Sequence, residues 1–187
     1  AADRVQREAV LVEFDAKLKE GKTRLAALGR DEQDLLRLLE ELRDIFADIP
    51  KQLDAAQPFA TLKGRLRRPH AGSVQVGFGQ SIATGRLSEG WLLDAGAGDE
   101  VRAVAPGRVA FADWLKGFGL LLILDHGDGY MSLYAQNESL LKDVGDWVAA
   151  GDVISTVGAS GGAAQAGLYI ELRHQGRPLD PKPWFAR

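Results

Sequence analysis

Gly167-Leu168-Tyr169-Ile170-Glu171-Leu172-Arg173 is the stretch of sequence that decides the fold. Its alternation predicts a β-strand, because successive side chains of a strand point to opposite faces of the sheet. The apolar face, expected in the core, comprises Leu168, Ile170 and Leu172. The other face, expected to meet solvent, comprises Gly167, Tyr169, Glu171 and Arg173.

Composition excludes several classes of protein. The 187 residues carry 23 basic and 26 acidic side chains, and the net charge of −3 argues against a dedicated nucleic-acid binder. The chain has no cysteine, which excludes disulfides, thiolate metal sites and thiol catalysis. No stretch approaches 18 consecutive apolar residues, so we expect no membrane span. Because the chain starts at Ala1-Ala2-Asp3, we expect a trimmed piece that has lost any targeting segment.

The N-terminal part of the sequence is helical in pattern. Residues 3–28 carry a narrow apolar seam typical of a coiled coil, and a second helix is predicted over about 31–48. The second helix has a wider apolar stripe, so it either ends the coiled coil or docks on the protein's own surface. The residues that would dock are Leu35, Leu38, Leu39, Leu42, Ile45 and Phe46.

The amino-acid composition changes after residue 50. We expect a helical arm over residues 1–50, a linker over 51–65 and a β-domain over 66–187, where glycine and short apolar runs alternate. Gly-Asp-x-Val occurs at 98–101 and again at 145–148, which suits a domain of two similar halves. The predicted fold is therefore mainly β, preceded by a helical arm.

Spacing alone reveals no catalytic constellation. The three histidines, His70, His126 and His174, form no close ligand pair, whereas a hydrolytic zinc site needs about three nitrogen or oxygen ligands. His126 is the best single candidate for a ligand, but a structural histidine in a turn explains it better. Ser160, in the Gly-rich segment 158–162, lacks the spacing of a nucleophile elbow.

Several ordered motifs resemble the lysostaphin/LytM-type zinc peptidase family. They are Gly98–Val109, Gly117–Gly119, Asp125–Gly127, Tyr130–Tyr134, Val144–Gly151 and Leu168–Arg173. The resemblance covers residues 66–187 and implies the LytM-like β-domain with its duplicated hybrid motif. It also implies that the metal ligands of the family fall on Ser88, Leu92 and Tyr169, and its two catalytic histidines on Gln136 and Gly167. Leucine cannot bind zinc, so the resemblance implies a degenerate peptidase, not an enzyme, with no metal or cofactor.

Further motifs are similar to one subgroup, the EnvC-type murein hydrolase activators. They are Asp113–Gly119, Met131–Tyr134 and Pro181–Phe185. This resemblance implies a periplasmic, non-catalytic activator of N-acetylmuramoyl-L-alanine amidases, acting in septal cell-wall splitting during cell division. It implies that the coiled coil is engaged by the FtsE–FtsX complex and that a helix of the arm covers the groove in an autoinhibited resting state. Beside these, we expect peptidoglycan as a further partner.

A groove without metal or histidine becomes an apolar patch, and such patches mark interaction sites. We expect partner contacts from Leu92, Phe118, Leu121, Tyr169 and Arg173, with Arg173 at the rim, because tyrosine and arginine are common interface anchors. Leu121 could equally belong to the core.

Three alternatives stay open at the level of sequence. The first is an active zinc endopeptidase of the LytM family that cleaves peptidoglycan cross-links. The second is a carrier domain of biotinyl or lipoyl type, for which Lys116 is the nearest modifiable lysine. The third is a purely structural peptidoglycan-binding role.

Overall fold

The protein is described by a computed structural model that covers residues 32–41, 57–82 and 86–186. The predicted first helix, the docking residues Leu42, Ile45 and Phe46, and residues 51–56 of the predicted linker lie outside these residues. The chain divides into two compact units, Ala1–Leu38 and Leu39–Arg187.

Residues 32–41 form an α-helix, α1. Its buried side chains are Leu35 and Leu39, which are 1% and 4% exposed, while Leu36 is 43% exposed. The two buried leucines of α1 lie one helical turn apart. Within the described residues, no helix is both long and apolar enough to cross a membrane.

The described part of the C-terminal unit is built from strands, as predicted. Ten of them join in one antiparallel sheet, whose main path runs β1-β2-β9-β6-β5-β4-β7, with β10 on β9 and a β3–β8 pair attached to β6. The strands are β1 (Val74–Val76), β2 (Trp91–Asp94), β3 (Glu100–Arg102), β4 (Gly107–Leu115), β5 (Gly119–Asp125), β6 (Tyr130–Leu140), β7 (Trp147–Val148), β8 (Val153–Val157), β9 (Gly167–His174) and β10 (Arg177–Leu179).

The core lies where the sequence predicts it for β9 and β5. Leu168, Ile170 and Leu172 are 0% exposed, which confirms the apolar face of the opening strand. The continuous run of β5 is buried on both faces, with Leu122 and Leu124 in the main cluster. Trp91, Trp184 and Phe185 close this cluster near the C-terminus, and the rings of Trp91 and Phe185 lie 5.3 Å apart.

The repeated Gly-Asp-x-Val tetrads adopt the same turn. Asp99 accepts a hydrogen bond from Gly96 N at 2.8 Å, and Asp146 accepts one from Asp143 N at 2.9 Å. The glycines before these aspartates have φ of +84° and +97°, which an L side chain rarely adopts. Each tetrad therefore closes a turn before a strand whose valine is buried, which supports two similar halves.

Candidate functional site

Residues from three strands and one turn lie next to one another. Leu92 on β2 is paired with Tyr169 on β9, and Ala135 on β6 is paired with Tyr169 from the other side. The rings of Phe118 and Tyr169 lie 6.2 Å apart, centroid to centroid. We call the set Leu92, Phe118, Gln136, Gly167 and Tyr169 the groove.

Two glycines shape this groove. A Cβ on Gly167 would lie 3.2 Å from Leu92 Cδ1, so the absence of a side chain leaves room for Leu92. Gly119, directly after Phe118, has φ of +73°, and a Cβ there would lie 2.3 Å from Ser160 Oγ. Ser160 itself donates to Asn137 O and accepts from Leu120 N, so it joins a loop to β5 and β6. These contacts fix the backbone at Gly119, next to Phe118, and they give Ser160 a structural role.

The residues at the implied zinc positions do not fit zinc. Leu92 offers no donor atom, and Ser88 uses its hydroxyl to donate to Gly90 O at 2.9 Å. Burial, together with the negative charge of Glu171, raises the pKa of Tyr169 far above its ordinary value, so its phenol stays neutral. Among the residues that the structure describes, no group of three His, Cys, Asp or Glu side chains could hold a metal ion.

A chain of hydrogen bonds and ion pairs lies behind Tyr169. The Tyr169 hydroxyl donates to Glu171 Oε1 at 2.8 Å, and Arg173 Nε donates to Glu171 Oε2 at 2.6 Å. Arg173 Nη2 donates to Glu89 Oε2 at 2.6 Å, and Nη1 donates to Gly176 O at 3.0 Å. We call Tyr169, Glu171, Arg173 and Glu89 the buried polar chain. Glu89 lies 84 residues before Arg173 and was not among the predicted site residues.

The predicted solvent face of β9 is wrong. Glu171 and Arg173 are each 1% exposed, whereas Tyr169 on the same face keeps partial exposure. Burial lowers the pKa of Arg173, but the charge and hydrogen bond of Glu171 outweigh that effect, and the pKa is raised overall. Arg173 is therefore a buried cation fixed by two carboxylates, and not an exposed rim contact.

Leu121 also departs from its predicted place in the groove. It lies on β5 opposite Asp113 and is 0% exposed, so it belongs with the buried residues, as the sequence left open. Leu92, Phe118 and Tyr169, the other three predicted contacts, are partly exposed and lie together.

His126 is a fully engaged structural side chain. Its Nδ1 lies 2.7 Å from Pro106 O, and its Nε2 lies 2.7 Å from Ser132 Oγ. The ring of Phe59 stacks on it with 4.6 Å between centroids. Burial lowers the pKa of His126 to about 4, although the bond to Pro106 O acts in the opposite direction. Both ring nitrogens are thus committed within the fold, away from the groove.

Comparisons with known proteins identify relatives of this domain. Residues 86–181 match the pattern of Peptidase family M23. The chain is 42% identical over 125 residues to the murein hydrolase activator EnvC of Escherichia coli K12. The matched residues are 67% of this chain and 30% of EnvC. It is 34% identical over 116 residues to the murein hydrolase activator NlpD of the same strain, covering 62% of this chain and 30% of NlpD.

A solved structure supports the same fold. It is a peptidase M23 structure from Pseudomonas aeruginosa, with a TM-score of 0.65 and 22% identity, covering 85% of this chain and 62% of that one. At this identity the likeness concerns the fold alone. The chain spans about 30% of the length of the two curated relatives.

Replacing Arg173 should destabilise the protein strongly. Arg173→Ala leaves Glu171 as a buried, uncompensated carboxylate, so we expect a loss of about 3–5 kcal/mol in the free energy of unfolding. The measurement is urea denaturation followed by circular dichroism. The matched control is Arg102→Ala, which removes an exposed ion pair with Glu100 and should cost less than about 1 kcal/mol. Equal losses in the two variants would contradict the buried polar chain.

Stability should depend on pH through His126. The pKa of His126 is about 4 in the folded protein and 6.5 ordinarily, so the unfolded chain binds the proton first as pH falls. The stability that buried, neutral His126 contributes is therefore fully present above pH 6.5 and is lost as the pH falls towards 4. The free energy of unfolding changes by about 3 kcal/mol over this range. Asp125 acts in the opposite direction, because burial raises its pKa. Urea titrations from pH 7.5 to 4.5 measure the slope, and His126→Gln should flatten it; an unchanged slope would refute the assignment.

Proposed function

This chain belongs to peptidase family M23, and from that premise we propose that it is a non-catalytic activator of peptidoglycan N-acetylmuramoyl-L-alanine amidases. The observation that carries the proposal is the pair Leu92 and Tyr169, which face each other where the family resemblance implies metal ligands. Leu92 has no atom that could coordinate a metal, and the Tyr169 hydroxyl donates a hydrogen bond to Glu171. A hydrolytic zinc site needs about three ligands with an open position for water, and these residues cannot provide it.

The relatives support the same proposal. EnvC and NlpD, 42% and 34% identical to this chain over the matched residues, both carry the name murein hydrolase activator. We propose that the domain shared with them performs the activation, and that the hydrolases activated here are amidases. The match covers about 30% of each relative, so the proposal concerns only the domain that they share with this chain.

We propose that the groove is the surface on which an amidase docks. Leu92, Phe118 and Tyr169 offer a partly exposed apolar patch, and burial of apolar area is the main favourable term in most protein association. The hydroxyl of Tyr169 is already hydrogen-bonded, so its ring can be covered without stranding a polar group. Arg173 supports this surface from below as a positioning residue, and not as a contact.

The biological setting follows from the same proposal. An amidase activator of this type would act on the cell wall in the periplasm, during septal splitting in cell division. The coiled coil of the arm would be engaged by the FtsE–FtsX complex, and peptidoglycan would be a further partner. Pull-down on purified sacculi separates a purely structural peptidoglycan binder from an amidase activator, since the former would bind sacculi and leave amidase activity unchanged.

The second candidate is an active zinc endopeptidase, which the family as a whole allows. Stoichiometric zinc in the purified protein, together with cleavage of peptidoglycan cross-links, would favour it over the proposal. A carrier domain is the third candidate, and mass spectrometry would reveal it as a biotinyl or lipoyl group on Lys116.

Truncating Tyr169 should weaken amidase binding. Tyr169→Ala removes the central ring of the groove, and we expect the dissociation constant for a purified amidase to rise at least about tenfold. Trp147→Ala is the matched control, because Trp147 is another exposed aromatic residue, 53% exposed, on the short strand β7 away from the groove. Calorimetric titration measures both variants, and the proposal fails if they bind alike.

The arm should hold the protein in a resting state. We propose that the buried face of α1 competes with the amidase for the groove, so Leu35→Asp combined with Leu39→Asp should raise amidase activation at least about threefold. Leu36→Asp is the control, because Leu36 lies on the exposed face of α1. Deleting residues 1–50 should act in the same direction. Dye release from labelled sacculi measures activation, and unchanged activity in both altered proteins would rule out autoinhibition by the arm.

A further inference from the structure

Gln136 is the extra residue of a β-bulge at the groove. Leu120 on β5 faces Asn137 on β6, and Leu122 faces Tyr134. Between these pairs β6 uses one residue more than β5, so the register shifts at positions 135 and 136. Bulges of this kind re-aim a side chain and are frequent beside functional sites.

The backbone of Gln136 is strained. Its φ is +66°, in the left-handed region that residues with a side chain seldom adopt. The conformation is held by a hydrogen bond from Gln136 N to Phe118 O at 2.9 Å, which ties the bulge to the neighbouring groove residue. Strain of this type persists where the surrounding structure imposes it, and it clusters at ligand sites.

The side chain of Gln136 is incompletely satisfied. Its Oε1 is buried and has no hydrogen-bond partner, and among the described residues it is the one side-chain nitrogen or oxygen atom in this condition. A buried amide oxygen without a donor costs free energy, because it has lost its hydrogen bonds to water. Neighbouring polar groups of the site are satisfied, including the hydroxyl of Tyr169 and the side chain of Asn137.

Strain and an unsatisfied acceptor at one residue point to a missing ligand group. Both features cost stability, and the bulge keeps both beside Phe118 and two positions from Tyr134, where an ordinary strand would have neither. Oε1 can only accept a hydrogen bond, so the missing group is a donor. Oε1 is covered in the unbound protein, but Gln136 as a whole is half-buried, so its amide must turn towards the groove to meet the donor.

We propose that Gln136 Oε1 accepts a hydrogen bond from an N–H donor of the amidase when it docks in the groove. The donor belongs to the class of backbone amides and amide or guanidinium side chains, which are the N–H groups that proteins present at interfaces. This inference rests on the proposed function, because it names a contact within that docking surface. It makes Gln136 a specificity residue: a partner without a donor at this place leaves the oxygen unpaired, which binding then penalises.

Two substitutions separate the contact from the fold. Gln136→Gly removes both the unsatisfied oxygen and the strain, so the melting temperature should rise by about 2–4 °C. Gln136→Met keeps the length and the strain but removes the unsatisfied acceptor, so the melting temperature should rise by less than in Gln136→Gly. Both variants of the full chain should bind a purified amidase about three- to tenfold more weakly than the unaltered protein, the range expected for one hydrogen bond.

Gln175→Gly is the matched control. Gln175 has φ of +51°, also in the left-handed region, but it is exposed and lies in the turn between β9 and β10. The substitution should raise the melting temperature in the same way and leave amidase binding unchanged. A stabilising change combined with weaker binding is therefore specific to position 136.

The outcomes distinguish this inference from the proposed function. If the unaltered protein binds the amidase and both Gln136 variants bind equally well, the hydrogen bond is absent and the docking function stands. If the unaltered protein does not bind any amidase tested, the proposed function fails, whatever the variants do. Weaker binding by Gln136→Gly and Gln136→Met, with Gln175→Gly unaffected, supports the contact.

Discussion

The guanidinium of Arg173, fixed between Glu171 and Glu89, is the interaction on which the site depends. Both Arg173 and Glu171 are almost completely buried, so neither charge could be tolerated without the other. Glu89 lies just before β2, and Glu171 and Arg173 lie on β9, so this ion-pair network joins the segment before β2 to the strand with which β2 pairs. It also holds the hydroxyl of Tyr169, which sets the orientation of the ring that faces the groove.

The polar atoms of this network are arranged differently from those of a hydrolytic site. A hydrolytic site keeps a reactive group or an open metal position available to substrate. Here the polar atoms behind Tyr169 are hydrogen-bonded to one another, and the Leu92 side chain occupies the space beside Gly167. Among the described groove residues, Leu92, Phe118 and Tyr169 supply an apolar surface, and Gln136 supplies an oxygen without a hydrogen-bond partner. The proposed function uses this surface to hold a partner.

The sequence predicted half of the central strand and missed the other half for a physical reason. Alternation in β9 correctly placed Leu168, Ile170 and Leu172 in the core. The same alternation suggested that Glu171 and Arg173 meet solvent, because charged residues are seldom buried unless paired. The pairing carboxylate of Glu89 lies 84 residues away, and no local pattern could assign it. The bulge at Gln136 was equally hidden, since it depends on the register between β5 and β6.

In the proposed docking, groove residues that are already fixed lower the cost of association. Association must offset the loss of side-chain freedom, and residues fixed before binding lose less. Tyr169 is held through its hydroxyl, and Phe118 precedes Gly119, whose close contact with Ser160 and Gly161 leaves its backbone little room to move. The burial that raises the pKa of Tyr169 also keeps its ring neutral, so covering it entails no loss of a charged group's hydration. In the proposed function, the buried polar chain therefore contributes to recognition indirectly, because it orders the groove during folding, before a partner binds.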